Sequence, residues 1–157
     1  METARRVSVA HVFLIRDGQV LLLNRQNTGH DDGSYGLPAG KIERGETAEA
    51  AALREAFEEC GAVIEPGDLR MIGVMQIGAA DKSGDERIDF FFAAERWSGE
   101  IVNREPDKCA GLDWFAVDGL PGNTTPFIRE AWDNARRGRW YGSYGLEEAK
   151  NAALAEE

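Results

Sequence analysis

The stretch that decides the fold is GKIERGETAEAAALREAFEECGA, residues 40–62. Between Thr47 and Cys60 it contains no glycine or proline and is rich in alanine and glutamate, a composition that favours a helix. Thr47 is a residue type that caps helix N-termini, and Gly61 stands where a C-terminal cap would be. The sequence therefore predicts a helix from Thr47 to Cys60.

Three glutamates of the predicted helix share one face. Glu55, Glu58 and Glu59 are spaced i, i+3 and i+4, which brings their side chains together. Leu53 and Phe57 fall on the opposite side, so we expect them in the core. Carboxylates this close repel one another, whereas Mg²⁺ and Mn²⁺ prefer oxygen ligands of this kind. The pattern is consistent with a site for a divalent cation, and a plain solvated acidic face is the alternative.

The same stretch resembles the Nudix box, the signature of the Nudix hydrolases. The positions that carry the resemblance are glycines, glutamates and an arginine at fixed spacing: Gly40, Glu46, Arg54, Glu55, Glu58, Glu59 and Gly61. The resemblance implies an α/β/α sandwich, in which a mixed β-sheet lies between helices, formed as a single Nudix domain over residues 1–157. It also implies hydrolysis of a nucleoside diphosphate linked to another group, with Mg²⁺ or Mn²⁺ as the cofactor.

The resemblance assigns metal ligands residue by residue. Glu58 and Glu59 would be the main ligands, Glu55 would add a ligand or orient the attacking water, and the backbone carbonyl of Ala39 would supply a further oxygen. The general base differs among family members, so it is left open between Glu55, Glu59 and an acid outside the box.

The remaining box residues would shape the site. Arg54 would pair with Glu46 or with a ligand glutamate and hold its side chain in place, which suits the fork of a guanidinium group. Gly40 and Gly45 would permit a tight loop that brings the backbone near the metal ions.

A further acid is expected outside the box. In MutT-type relatives it comes from the loop before a tryptophan-containing strand, and here Glu105 and Asp107 precede Trp114 in this way. We expect Glu105 to be a metal ligand and keep Asp107 as the second choice, and a plain exposed turn is the structural alternative.

Substrate contacts are predicted in the segment before the box. Arg25 follows a predicted strand at the place where MutT-type enzymes often contact a phosphate. His30 and Tyr35 lie on the following loop, and either could contact a base or ribose. The structural alternatives are an ordinary surface arginine and an exposed loop histidine.

The rest of the chain alternates strand and helix signals. Strands are predicted around a turn at Arg16–Gly18 and again before and after a charged turn at 81–86, and a short strand begins at Leu112. A second helix is predicted from Pro126 to about Arg137, and residues 147–157 could be helical or frayed. His11 alternates with apolar strand residues, which predicts a packed histidine.

Composition restricts the partners and the compartment. The 157 residues carry 18 Lys and Arg against 28 Asp and Glu, a net charge of −10. We expect no nucleic-acid or membrane partner, because such a chain repels polyanions unless metal ions intervene. Cys60 and Cys109 are the two cysteines, which indicates neither a disulfide scaffold nor a zinc site and is typical of a cytoplasmic protein.

The substrate is predicted only in outline. Residues 76–80, Gln-Ile-Gly-Ala-Ala, lack the proline or tyrosine that marks family members acting on ADP-ribose or dinucleoside polyphosphates. A nucleoside triphosphate, normal or oxidised, is therefore the expected substrate, cleaved to a monophosphate and pyrophosphate. ADP-ribose or a nucleotide sugar is the alternative substrate, and a non-catalytic nucleotide sensor is the alternative of another class. A homodimer, common in relatives, is left open.

Overall fold

The structure is a computed structural model that describes residues 3, 5–79 and 85–146. Most of the charged turn predicted at 81–86, and the whole tail at 147–157, lie outside the described residues. Neither helix in the described part of the chain is long and apolar enough to cross a membrane.

Strands and helices alternate as the sequence predicts. The elements in chain order are β1 Arg6–Arg16, β2 Gln19–Arg25, β3 Tyr35–Gly36, β4 Ala39–Lys41, α1 Ala48–Cys60, β5 Leu69–Ile77, β6 Glu86–Ala94, β7 Cys109–Ala116, α2 Pro126–Arg136 and β8 Tyr141–Tyr144. The short strands β3, β4 and β8 were not among the predicted elements, because segments of two to four residues carry no clear periodicity.

The strands form a mixed sheet. β1 runs parallel to β6, β5 is antiparallel to β6, and β8 is parallel to β5. β2 is joined to the end of β1 by a tight turn in which Asp17 and Gly18 both have positive φ, 53° and 74°, as a two-residue hairpin requires. β2 also pairs with β3 and β7, and β4 pairs with the middle of β1. The last pairing places Ala39 opposite His11, close to α1.

The two helices cover opposite faces of the sheet. Successive side chains of β1 alternate between the faces. Val12 and Leu14 belong to the apolar cluster that contains the buried residues of α1. Phe13 belongs to a second cluster with Ile128 and Ala131 of α2. This arrangement confirms the α/β/α sandwich.

The predicted boundaries of α1 are confirmed by its caps. Thr47 Oγ1 accepts a hydrogen bond of 3.0 Å from the backbone N–H of Ala50. Gly61 has a φ of 78° and donates its N–H to the carbonyl of Phe57 at 2.9 Å. A left-handed residue at this position is the usual end of a helix.

The expected core face of α1 is wrong in part. Phe57 is 46 % exposed, with the guanidinium of Arg104 4.4 Å above its ring, and Leu53 is only partly buried. The buried residues of the helix are small: Ala51, Ala52, Ala56 and Cys60. Small side chains allow the helix backbone to lie close to the sheet, so the larger apolar side chains are displaced to the edge of the contact.

Close packing of α1 on the sheet predicts that an alanine-to-leucine substitution lowers stability more at a buried position of the helix than at an exposed one. Ala56→Leu adds volume to a fully buried position and should destabilise the fold by about 1–3 kcal/mol. Ala50→Leu makes the same change at an exposed position of the same helix and should alter stability by less than about 0.5 kcal/mol. Urea unfolding of both variants checks this, and equal effects would contradict the packing described.

Candidate active site

Four carboxylates line one cavity of about 430 Å³. Glu55, Glu58 and Glu59 come from α1, and Glu105 comes from the loop between β6 and β7. Ala39 of β4 forms part of the same wall. Elements distant in sequence thus meet where the C-terminal half of α1 passes β4.

The three helix glutamates differ in their surroundings. Glu59 Oε2 accepts a hydrogen bond of 2.7 Å from the backbone N–H of Ala39. Glu55 is partly buried, and its carboxylate lies directly over Gly40, where the Cβ of any other residue would overlap it. Glu58 is the most exposed of the three. The glycine at position 40 is therefore needed for the position of Glu55.

The guanidinium of Arg54 connects these glutamates to the loop before the helix. It forms a fork on Glu46, with Nε to Oε2 at 2.8 Å and Nη2 to Oε1 at 2.9 Å. Its Nη1 contacts Glu55 Oε1 at 2.7 Å and Glu58 Oε2 at 3.3 Å. Nη2 also donates to the carbonyl of Lys41 at 3.2 Å. One side chain thus holds the loop and two of the glutamates in a single arrangement.

The cavity concentrates negative charge at partly buried positions. Burial raises the pKa of Glu59 well above its usual value, the bond from Ala39 opposes that shift, and the nearby Glu55 and Glu105 add to it. Burial also raises the pKa of Glu55, with its bonds to Arg54 acting in the opposite direction. A cation in this cavity would relieve the repulsion that these shifts reflect.

The donor set fits Mg²⁺ or Mn²⁺ by its chemistry, since both ions prefer carboxylate and carbonyl oxygens. In the described part of the chain, no three Asp, Glu, His or Cys side chains already surround one point as ligands of an ion. The reason is visible in the hydrogen bonds: Arg54 holds Glu55, and the N–H of Ala39 holds Glu59. Coordination would require these carboxylates to exchange partners.

Arg25 and His30 lie together at the rim of the same cavity. Arg25 Nη2 is 2.9 Å from His30 Nε2. The backbone of Arg25 also closes the loop, accepting from Gly33 at 2.8 Å and donating to Ser34 at 3.0 Å. The sequence-predicted arginine and histidine are thus placed beside the carboxylates.

Two predicted residues are not brought to this cavity. Tyr35 donates its hydroxyl hydrogen to Asp113 at 2.7 Å and packs edge-on against Phe115, so it does not line the cavity. Asp107 is exposed and is also not among the lining residues, whereas Glu105 is. The structure therefore favours Glu105 over Asp107 as the fourth acid.

A second polar cluster lies on the α2 face of the sheet, and the sequence did not predict it. Asp89 is completely buried and contacts both His11 and Arg87. His11 is a packed histidine as predicted, but its partner was not anticipated. A lone Asp within the apolar stretch of β6 was the available signal, because buried acids need a compensating partner.

Comparison with known proteins identifies the family. The NUDIX domain model matches residues 4–135. The chain belongs to the NUDIX family.

Two known proteins are similar to this NUDIX chain. It is 34% identical over 116 residues to the NAD-capped RNA hydrolase NudC of Pseudomonas aeruginosa, a match covering 74% of this chain and 38% of the relative. The chain thus spans less than two fifths of the length of that curated relative. It is also 31% identical to a MutT NUDIX hydrolase from Burkholderia pseudomallei, with a TM-score of 0.74 and coverage of 82% of this chain and 97% of the other.

A more distant solved structure shows the fold alone. The MutT protein of Methanosarcina mazei Go1 is 19% identical, with a TM-score of 0.72 over 87% of this chain and 97% of the other. The Burkholderia protein, which is similar to this chain over most of both lengths, is named a hydrolase.

The Arg54–Glu46 fork of the Nudix box makes a testable prediction about ionisation. Its hydrogen bonds lower the pKa of Glu46 from 4.5 to about 2. In Arg54→Met that pKa should rise towards 4.5, whereas Arg44→Met, a neighbouring exposed arginine, should leave it unchanged. Carbon-detected NMR titration of the glutamates measures both.

The same fork predicts how stability responds to acid. Because the pKa of Glu46 is depressed in the folded protein, the stabilisation is present above pH 4.5 and is lost as the pH falls towards 2. An unaltered Glu46 pKa in Arg54→Met would show that the fork does not hold this carboxylate.

Proposed function

We propose that this NUDIX chain, as a single domain over residues 1–157, hydrolyses a pyrophosphate bond in a nucleotide. The observation that carries the proposal is the shared cavity, which joins the four carboxylates Glu55, Glu58, Glu59 and Glu105 to Arg25 and His30. Carboxylates suit metal ions, and a neighbouring cationic rim suits phosphate.

In this proposal the carboxylates hold a divalent cation, Mg²⁺ or Mn²⁺. Glu58 and Glu59 are the main ligands, and Glu55, Glu105 and the carbonyl of Ala39 contribute further oxygens. When bound, the metal would neutralise phosphate charge and lower the pKa of the attacking water. Glu55, Glu59 and the loop acid Glu105 remain the candidates to accept the water's proton.

Arg54 and Arg25 have positioning and binding roles in this proposal. Arg54 keeps Glu55 and Glu58 in place through its fork on Glu46, and so acts through the ligands rather than on the substrate. Arg25, fixed against His30, contacts a phosphate at the rim of the cavity. Its planar fork suits two phosphate oxygens at once.

We propose a nucleoside triphosphate, normal or oxidised, as the first candidate substrate. Water would add at the α-phosphorus and pyrophosphate would leave, giving a monophosphate. Support comes from the likeness to the Burkholderia MutT hydrolase, which this chain matches over nearly the whole of that protein. ADP-ribose and nucleotide sugars keep the same pyrophosphate bond and remain the alternative.

A second candidate substrate is a dinucleotide pyrophosphate of the NAD type. The observation that favours it is the 34% identity to a protein named an NAD-capped RNA hydrolase. The same likeness makes the expected absence of a nucleic-acid partner doubtful, although the net charge of −10 opposes tight binding of an RNA backbone. A non-catalytic sensor is disfavoured because all box carboxylates are present.

Substrate choice is tested with purified protein and a panel of compounds. The panel contains nucleoside triphosphates, oxidised ones included, with NADH, ADP-ribose, dinucleoside polyphosphates and an NAD-capped oligonucleotide. Reactions run with Mg²⁺, with Mn²⁺ and with EDTA, and products are separated by chromatography. The fastest substrate ranks the candidates, and absence of turnover throughout would contradict the proposal.

Removal of single carboxylates predicts loss of turnover. Glu58→Gln and Glu59→Gln should each lower kcat by more than about 100-fold, because loss of a direct ligand exceeds the 10–100-fold typical of residues behind the ligands. Glu49→Gln, an exposed position in the first turn of α1, is the matched control and should keep full activity. Undiminished turnover in both ligand variants would contradict the assignment of Glu58 and Glu59 as metal ligands.

The loop acid gives a second, paired prediction. Glu105→Gln should reduce activity and weaken activation by Mn²⁺, because Glu105 shares the cavity with the helix glutamates. Asp107→Asn changes the same charge two residues away, outside the cavity, and should behave as wild type. Titration of activity against Mn²⁺ distinguishes them, and the reverse order would reassign the fourth ligand to Asp107.

A further inference from the structure

The loop that carries Glu105 is attached to the end of α1. A helix leaves its last backbone carbonyls without partners inside the helix. In α1 the carbonyls of Glu59 and Cys60 accept hydrogen bonds of 3.1 Å from the backbone N–H groups of Arg104 and Val102, respectively. The start of the loop is therefore fixed to the same helix that carries the other three acids of the cavity.

The side chain of Asn103 spans this loop. Its Oδ1 accepts a hydrogen bond of 3.1 Å from the backbone N–H of Glu105, and its Nδ2 donates one of 2.8 Å to the carbonyl of Cys109. A backbone N–H only donates and a carbonyl only accepts, so these two partners determine which way the amide group points. One partly buried side chain thus joins the loop acid to the first residue of β7.

The backbone between these residues forms a closed turn. The carbonyl of Glu105 accepts hydrogen bonds from the N–H groups of Lys108 at 3.0 Å and Cys109 at 2.9 Å. The side chain of Glu105 lines the cavity. Burial is the main cause of the raised pKa of Glu59, and the charge of Glu105 adds to it, which indicates that the two carboxylates lie near each other.

Gln26 connects the same turn to the strand that carries Arg25. It follows Arg25, the last residue of β2. Its Nε2 donates to the carbonyl of Pro106 at 2.8 Å, and its backbone N–H donates to the carbonyl of Lys108 at 2.9 Å. The arginine at the rim of the cavity and the turn with the loop acid are therefore held side by side.

The side-chain amides of Asn103 and Gln26 act on the site from outside it. Neither residue lines the carboxylate cavity, so any effect on a bound ion passes through residues that do. Holding a loop in one conformation costs entropy, and groups that fix the loop in advance reduce that cost when a ligand binds. Residues behind metal ligands commonly have this function.

We propose that Asn103 and Gln26 are positioning residues for Glu105. Their amide groups hold the turn at 103–109 so that the carboxylate of Glu105 stays in the cavity, and they thereby increase the affinity of the site for a divalent cation. The inference rests on the proposed function, because it takes Glu105 to be a metal ligand.

The test measures Mn²⁺ binding without substrate, so it does not need turnover. Electron paramagnetic resonance measures free Mn²⁺ in mixtures with protein and gives the Kd. Asn103→Ala should raise this Kd about tenfold, the lower end of the range for residues behind metal ligands. Gln26→Ala should raise it less, because the backbone bond to Lys108 remains. Gln19→Ala, at the exposed start of β2, is the matched control and should keep the wild-type Kd.

A double-mutant cycle separates positioning from a general effect on the fold. In Glu105→Gln the charged ligand is already absent. Adding Asn103→Ala to that variant should therefore change the Kd for Mn²⁺ by less than about twofold. An equal increase in both backgrounds would show that Asn103 does not act through Glu105, and would overturn the proposal.

Asn103→Ser is the conservative variant. A serine hydroxyl can accept a hydrogen bond from the N–H two residues further on, as asparagine does, but more weakly. This variant should recover part of the Mn²⁺ affinity that Asn103→Ala loses. An affinity as low as that of Asn103→Ala would overturn the role given to the bond with Glu105.

Gln26→Ala keeps the proposal falsifiable if Asn103→Ala does not fold. Gln26 makes its side-chain bond at the surface, so its replacement by alanine should leave the core unchanged. The same cycle applies, with Gln26→Ala added to Glu105→Gln. A Kd for Mn²⁺ equal to that of the Gln19→Ala control overturns the proposal.

The results distinguish this inference from the proposed function. Weaker Mn²⁺ binding in Glu105→Gln, together with wild-type binding in Asn103→Ala, overturns the inference alone. Wild-type binding in Glu105→Gln removes Glu105 from the ligands and overturns both the inference and that part of the proposed function. Absence of turnover across the substrate panel contradicts the proposed function, while the Mn²⁺ measurements still decide the positioning role.

Discussion

The fork between Arg54 and Glu46 is the contact on which the rest of the site depends. It ties the loop after β4 to the middle of α1, and the same guanidinium reaches Glu55 and Glu58. Without this cation, carboxylates crowded on one helix face would repel one another and take up separate positions. One guanidinium group therefore organises the loop and two of the helix carboxylates together.

Close approach of α1 to the sheet is the second constraint. The buried stripe of alanines allows the helix backbone to lie near β1 and β4, and this brings Glu59 within 2.7 Å of the N–H of Ala39. Partial burial then raises the pKa values of Glu55 and Glu59, which in open water would stay near their usual range. Helix packing and the chemistry of the carboxylates are consequences of the same small residues.

The sheet separates two polar clusters. Carboxylates gather where α1 meets β4, while Arg87, Asp89 and His11 lie on the face covered by α2. Arg25 and His30 line the passage between them. The two clusters differ in character: the first is an excess of negative charge, and the second is a buried carboxylate held by a histidine and an arginine.

Local features were predictable from the sequence. The ends of α1, the tight turn at Asp17 and Gly18 and the spacing of Glu55, Glu58 and Glu59 depend on residues within a few positions of one another. Caps, turns and helical periodicity act over that range, and the box motif was sufficient to indicate the family and the sandwich.

Tertiary structure decided what depends on distant residues. Residue spacing could not predict that Phe57 is exposed or that Glu105, not Asp107, lines the cavity. It also could not predict that Tyr35 bonds to Asp113 outside the cavity. The partnership of His11 with Asp89, 78 positions apart, follows only from the parallel pairing of β1 with β6. Such contacts arise when strands and helices pack, because packing, not sequence proximity, determines which side chains share a buried space.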